Sequence, residues 1–153
     1  VTVDTTNKKD EQWYINTNIS YGVESNKAVG SYGTATAKAI DDTLFTAQDE
    51  IDGLGTEGEV AVRGLKYNLI KTVKAQAAGI LQDTDWYITR KADAGTAVPS
   101  AVTTHRAAVR TKSGEMETAI NNAADVDALA ALYVYNNANP PVRPLGEFPV
   151  LES

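Results

Sequence analysis

From Val60 to Gln82 apolar side chains return every three or four residues, at Leu65, Leu69, Val73, Ala77 and Ile80 or Leu81, with lysines between them. That period puts them on one stripe of an α-helix. A second stripe, Val102, Val109, Met116, Ile120 and Ala123, predicts another helix, opened by Pro99 with Ser100 or Thr96, where a missing N–H leaves nothing unpaired. Between the two, Asp83, Thr84 or Asp85 supplies a polar break and Trp86-Tyr87-Ile88 an aromatic-apolar anchor at the corner. Residues 91–97, Lys-Ala-Asp-Ala-Gly-Thr-Ala, read as a loop. Asp125 is placed to cap a short third helix holding Val126, Leu129, Leu132 and Tyr133.

The N-terminal pattern is different. Residues 12–37 are rich in Tyr, Thr, Ile, Val, Asn, Gly and Ser, and Trp13, Ile15, Ile19 and Tyr21 keep a loose period of two, which favours short strands punctuated at Gly22, Gly30 and Gly33. Residues 38–51 fit either element, since Ile40, Leu44, Ala47 and Ile51 suit a helical stripe while Thr43, Phe45 and Thr46 suit a strand; the reading leans to helix. After Asn136 the chain holds four of its five prolines, which excludes helix and predicts an extended tail. The expected fold is therefore α+β: a short β-rich N-terminal region (1–62), an α-helical hairpin with a short third helix (63–136) and an extended proline-rich tail (137–153).

Gly53-Leu-Gly-Thr-Glu-Gly58 spells the G-x-G-x-x-G of dinucleotide loops, but its setting opposes that chemistry. Such a loop follows a buried apolar strand, and here Asp49, Glu50, Ile51 and Asp52 precede it, so a pyrophosphate would be repelled. The glycines read as a flexible hinge. Charge is uneven in the same way: residues 1–62 carry four Lys/Arg and eleven Asp/Glu, residues 63–112 nine and three, and residues 113–153 one and six. The basic middle, with Lys66, Lys71, Lys74, Arg90, Lys91, Arg106, Arg110 and Lys112, lacks the interleaved aromatics of a single-strand binder. Docking of the acidic flanks against it is the expected use, with nucleic-acid binding by the 63–112 segment as the alternative.

The 153 residues contain no Cys and one His, so disulfide frameworks, thiol nucleophiles and His/Cys metal cages are excluded by inventory. His105 is the only imidazole to serve a catalytic triad, and it lies on or beside the apolar stripe, where a structural role is expected. The pairs Asp41/Asp42, Asp83/Asp85, Glu115/Glu117 and Asp125/Asp127 are too close in sequence to face each other on a helix, so capping and solvation explain them. Asp49, Glu50 and Asp52 suggest at most weak surface Ca²⁺ binding, because their order is not that of a calcium loop. Asn18-Ile-Ser20 spells a glycosylation sequon. No run approaches the roughly 18 to 20 apolar residues of a membrane span, and the N-terminus shows no signal-peptide pattern. The expectation is a non-enzyme without cofactor or metal.

Leu81-Gln-Asp-Thr-Asp-Trp86, then Ala97-Val-Pro-Ser100, then His105-Arg-Ala-Ala-Val-Arg110 carry one further signal. In these residues the chain resembles the C-terminal region of bacteriophage tail fibre assembly and tail assembly chaperone proteins. There a helix ends in a Leu-x-x-Thr-Asp-Trp corner and is followed by a loop, a helix with Tyr-Arg-x-x-Leu-Arg and a proline-containing tail. His stands here for Tyr and Val for Leu; both arginines remain. The likeness spans residues 65–135. It implies a non-enzymatic tail- or tail-fibre-associated assembly protein, or a virion structural protein, located in the virion or in host cytoplasm during assembly. Its partner would be a tail fibre or baseplate protein or a second copy, with neither nucleic acid nor membrane the expected partner. The implied contact residues are Asp85, Trp86, Tyr87, Arg106 and Arg110, with Trp86 and Tyr87 locking the hairpin and both the acidic N-terminal half and the tail free for the partner.

Overall fold

A computed structural model describes residues 2–152. The fold is α+β, with short strands early and helices later: β1 (Thr2–Asp4), β2 (Tyr14–Ile15), β3 (Ser20–Glu24), β4 (Lys27–Ser31), β5 (Thr36–Ala37), β6 (Thr43–Leu44), α1 (Ala47–Ile51), β7 (Val60–Val62), α2 (Leu65–Gln82), α3 (Asp85–Ala94), α4 (Ser100–Asn122) and α5 (Val126–Ala131). α2 and α4 form the antiparallel hairpin that the two stripes predict. Lys74 meets Glu117 at 3.3 Å in its middle, and Leu81 meets Arg106 where α2 ends and α4 begins. Val102, Val109, Met116 and Ile120 of α4 are all buried, and Asp125 caps α5 by accepting from the Ala128 N–H at 2.8 Å.

Several boundaries differ from expectation. Val60–Val62 is a strand, not the start of the helix, because it pairs antiparallel with β6. Residues 38–51 hold that strand and a single helical turn, which Thr46 begins with a reciprocal capping box to Asp49. The glycines at 53–58 are not a flexible hinge. They close the β6–α1–β7 unit, where Phe45 and Gly58 bond across the turn at 3.0 Å and the Phe45 ring lies so close to Gly55 that a Cβ there would meet it at 2.4 Å. Residues 85–94 form a helix through the predicted corner and the start of the predicted loop, stopped by Gly95 in the left-handed conformation (φ 68°).

One core joins all three sequence segments. Trp13 from the N-terminal region and Leu145 from the tail are buried with Val73, Met116, Ile120, Ala123, Val126 and Leu129. Trp13 packs its ring 5.5 Å from that of Tyr133, and the Tyr14 hydroxyl donates to Asp127. The tail is therefore not free: Leu145 N–H donates to the Leu132 carbonyl at 3.0 Å, and Phe148 lies partly buried against the core. The N-terminal region is tied down at a second point, where Asp42 accepts from the Gly64 backbone at 2.8 Å and from Arg63 at 2.6 Å, and Asp41 meets Lys66 at 3.2 Å. Both acceptances hold the Asp42 carboxyl below the usual carboxylate range, the Gly64 N–H contributing most.

The sheet of order β1-β4-β3 stands apart from this core. β1 runs parallel to β4 and β3 antiparallel to it, joined by a two-residue turn in which Ser25 and Asn26 take positive φ (49° and 61°), as a right-twisted hairpin demands. Every residue of β3 is exposed.

Candidate functional site

The α2–α3 corner is built around one arginine. α2 stops at Gln82, and Thr84, 4% exposed, turns its hydroxyl back to donate to the Leu81 carbonyl at 3.1 Å. Arg106, one and a half turns into α4 and buried by the same packing, donates from Nη1 to that carbonyl and to Thr84 Oγ1, each at 2.7 Å. Its Nη2 reaches Asp85 Oδ1 at 2.8 Å. A planar guanidinium supplies these bonds at once, which a lysine ammonium cannot do with the same geometry. The chain end of one helix, the first residue of the next and the second hairpin helix are fixed to a single side chain.

That corner presents an aromatic group to solvent. Trp86 is 51% exposed, and Ile88 beside it is exposed as well; α3 buries none of its residues. The Trp86 and Tyr87 rings lie 3.9 Å apart, and the Arg90 guanidinium covers them, 4.6 Å from Trp86 and 5.5 Å from Tyr87. Arg90 Nε is buried without a hydrogen-bond partner. Arg90 is held by ring faces, and this cation–π contact stiffens the exposed indole.

Of the residues singled out from sequence, the structure joins Asp85 to Arg106 directly and Trp86 to Tyr87. Arg110 stands aside, with only a 3.5 Å approach, among the described residues, to the Arg106 carbonyl one turn earlier. Trp86 and Tyr87 do not lock the hairpin, because half of the indole faces water; Arg106 does. The sequence marks Thr84 only as one candidate for the polar break, since its role depends on a carbonyl no side-chain pattern reveals, and Arg90 only as part of the basic middle, although its spacing of four from Trp86 was the available signal. Asp49, Glu50 and Asp52 each serve a local bond, to Thr46, the Glu57 N–H and Gln48. Among the described residues no group of three or more His, Asp or Glu side chains is placed to hold a metal ion, and no helix is long and apolar enough to cross a membrane. No protein-family model matches the chain, and neither a curated protein nor a solved structure matches it.

Proposed function

We propose that the chain is a non-enzymatic tail- or tail-fibre-associated protein of a bacteriophage, an assembly factor or a virion component, that works through protein–protein contact. The observation that carries this reading is the α3 peg: an exposed Trp86 and Ile88 on a helix that buries nothing of its own, held by the Arg106 corner. Exposed aromatics on a stiff support are what interface hot spots are made of. The resemblance of Leu81–Trp86 and His105–Arg110 supplies the class of partner. The alternative, nucleic-acid binding by 63–112, loses support from pairing, since Arg63, Lys66, Lys74, Arg106 and Lys112 each meet a carboxylate.

The test is co-expression with tail-fibre and baseplate proteins, followed by capture. Retention of one of them by the intact chain, weakened in Trp86→Ala, is the expected result. A chain that stays alone with every candidate removes the reading.

A further inference from the structure

We propose that β3 is the seam of a two-fold dimer, pairing antiparallel with β3 of a second copy of this chain about an axis through Gly22. β3 is an edge of the β1-β4-β3 sheet. The turn at Ser25 and Asn26 has two residues, both with positive φ, which makes Glu24 and Lys27 a hydrogen-bonded pair. Alternation along the uninterrupted β3–β4 register then aims the N–H and C=O groups of Ser20, Gly22 and Glu24 at β4, and those of Tyr21 and Val23 outward. Among the described residues no backbone bond from outside the sheet reaches Tyr21 or Val23.

Sheet edges are ordinarily blunted by shortness, proline, lysine or a bulge. β1, the opposite edge, is three residues long and ends at Asp4, whose carboxylate accepts from Thr6. β3 is five residues long and has none of these devices. Its Tyr21 and Val23 side chains share one face, 70% and 76% exposed. The Tyr21 ring leans over Gly30, where a Cβ would meet it at 3.0 Å, so it does not shield the outward backbone groups.

The occupant is a second copy because the strand is complementary to itself. With Gly22 facing Gly22 of the second copy, each Tyr21 exchanges N–H···O bonds with the other copy's Val23, so the outward donors meet outward acceptors. The same register sets Tyr21 beside Val23 on either side of the axis, an aromatic–β-branched cross-strand pair. The two Glu24 carboxylates fall at opposite ends of the seam, each across from Ser20 of the other copy, so like charges do not meet. One short seam buries less than about 1,200 Å², the class of weak, reversible interfaces.

Sedimentation of the intact chain from micromolar to roughly millimolar concentration should show a reversible doubling of mass. Val23→Pro removes an outward N–H and leaves the β3–β4 ladder whole, so it should weaken the dimer by about tenfold or more with the circular dichroism unchanged. A cysteine reads the register independently, since the chain has none. A Cβ at Gly22 meets nothing within 4 Å. Gly22→Cys places two thiols on a non-hydrogen-bonded pair, with Cα atoms about 4.5 Å apart, and should form a disulfide-linked dimer on mild oxidation. Val23→Cys, which faces Tyr21 of the other copy, should not. A chain that stays monomeric throughout, a folded Val23→Pro that dimerises undiminished, or cross-linking at Val23→Cys in place of Gly22→Cys each overturns the proposal.

Discussion

Arg106 and Thr84 meet at 2.7 Å across the α2–α4 hairpin, and the same guanidinium nitrogen caps the part-buried carbonyl of Leu81. Carbonyls at the C-terminal end of a helix lack intrahelical partners, and a cation is the electrostatically preferred donor there. Arg106→Met keeps the stem and removes the donors, so it is expected to destabilise the fold by about 2 to 3 kcal/mol. Arg106→Lys should recover only part of this. Asp85→Asn should cost much less, because that carboxylate is mostly in water. Urea unfolding of the three variants tests the order; equal losses from Arg106→Met and Asp85→Asn would contradict it.

The two tryptophans should behave oppositely. Trp13→Ala empties a core position and should cost about 3 to 5 kcal/mol. Trp86→Ala, at a half-exposed ring, should cost about 1 kcal/mol or less while weakening partner capture. Thermal melts of each variant decide the first point, and a large loss from Trp86→Ala would mean the indole supports the fold.

Glycines separate by what surrounds them. Gly79 and Gly114 lie inside helices with open space where a Cβ would stand, so Ala at either should stabilise by about 0.5 to 1 kcal/mol. At Gly64 a Cβ would meet the Asp41 backbone at 2.3 Å, so Ala there must displace the segment that Asp42 anchors. Melting temperatures that rise for the first two and fall for the third are the expected outcome.

Acid and alkali should act on different contacts. The depressed pKa of Asp42 means its contribution is complete above the ordinary carboxylate value of 3.8 and is lost as pH falls through the lower folded value. Asp49 behaves alike through the hydroxyl and N–H of Thr46. Tyr135 is raised, first by donating to Glu147 at 2.5 Å and then by burial, so its contribution is complete below the ordinary value of 10.0 and disappears as pH rises through the folded value. Asp42→Asn should flatten the acid limb of stability against pH, and Tyr135→Phe the alkaline limb. Limbs unchanged in both variants would separate these groups from the pH response.

Leu145 holds the tail to the core, 3% exposed between α4 and α5 residues. Leu145→Ala should lower stability by about 2 to 4 kcal/mol and open residues 146–152 to protease before the helical module unfolds. Simultaneous cleavage throughout the chain would show that the tail is not a separable layer.

Periodicity along the chain was enough to locate the α2 and α4 stripes, the Asp125 cap and the α+β order, because those depend on neighbours three or four residues apart. It was not enough to place Val60–Val62, whose apolar run suits helix or strand until β6 supplies a ladder. Nor was it enough for Trp86 and Trp13. Both are aromatic residues beside polar ones, and only the packed chain sends one into the core and the other to solvent. The Arg106 corner and the return of the tail onto the hairpin join residues more than twenty positions apart, and burial and pairing at that distance are properties of the assembled fold.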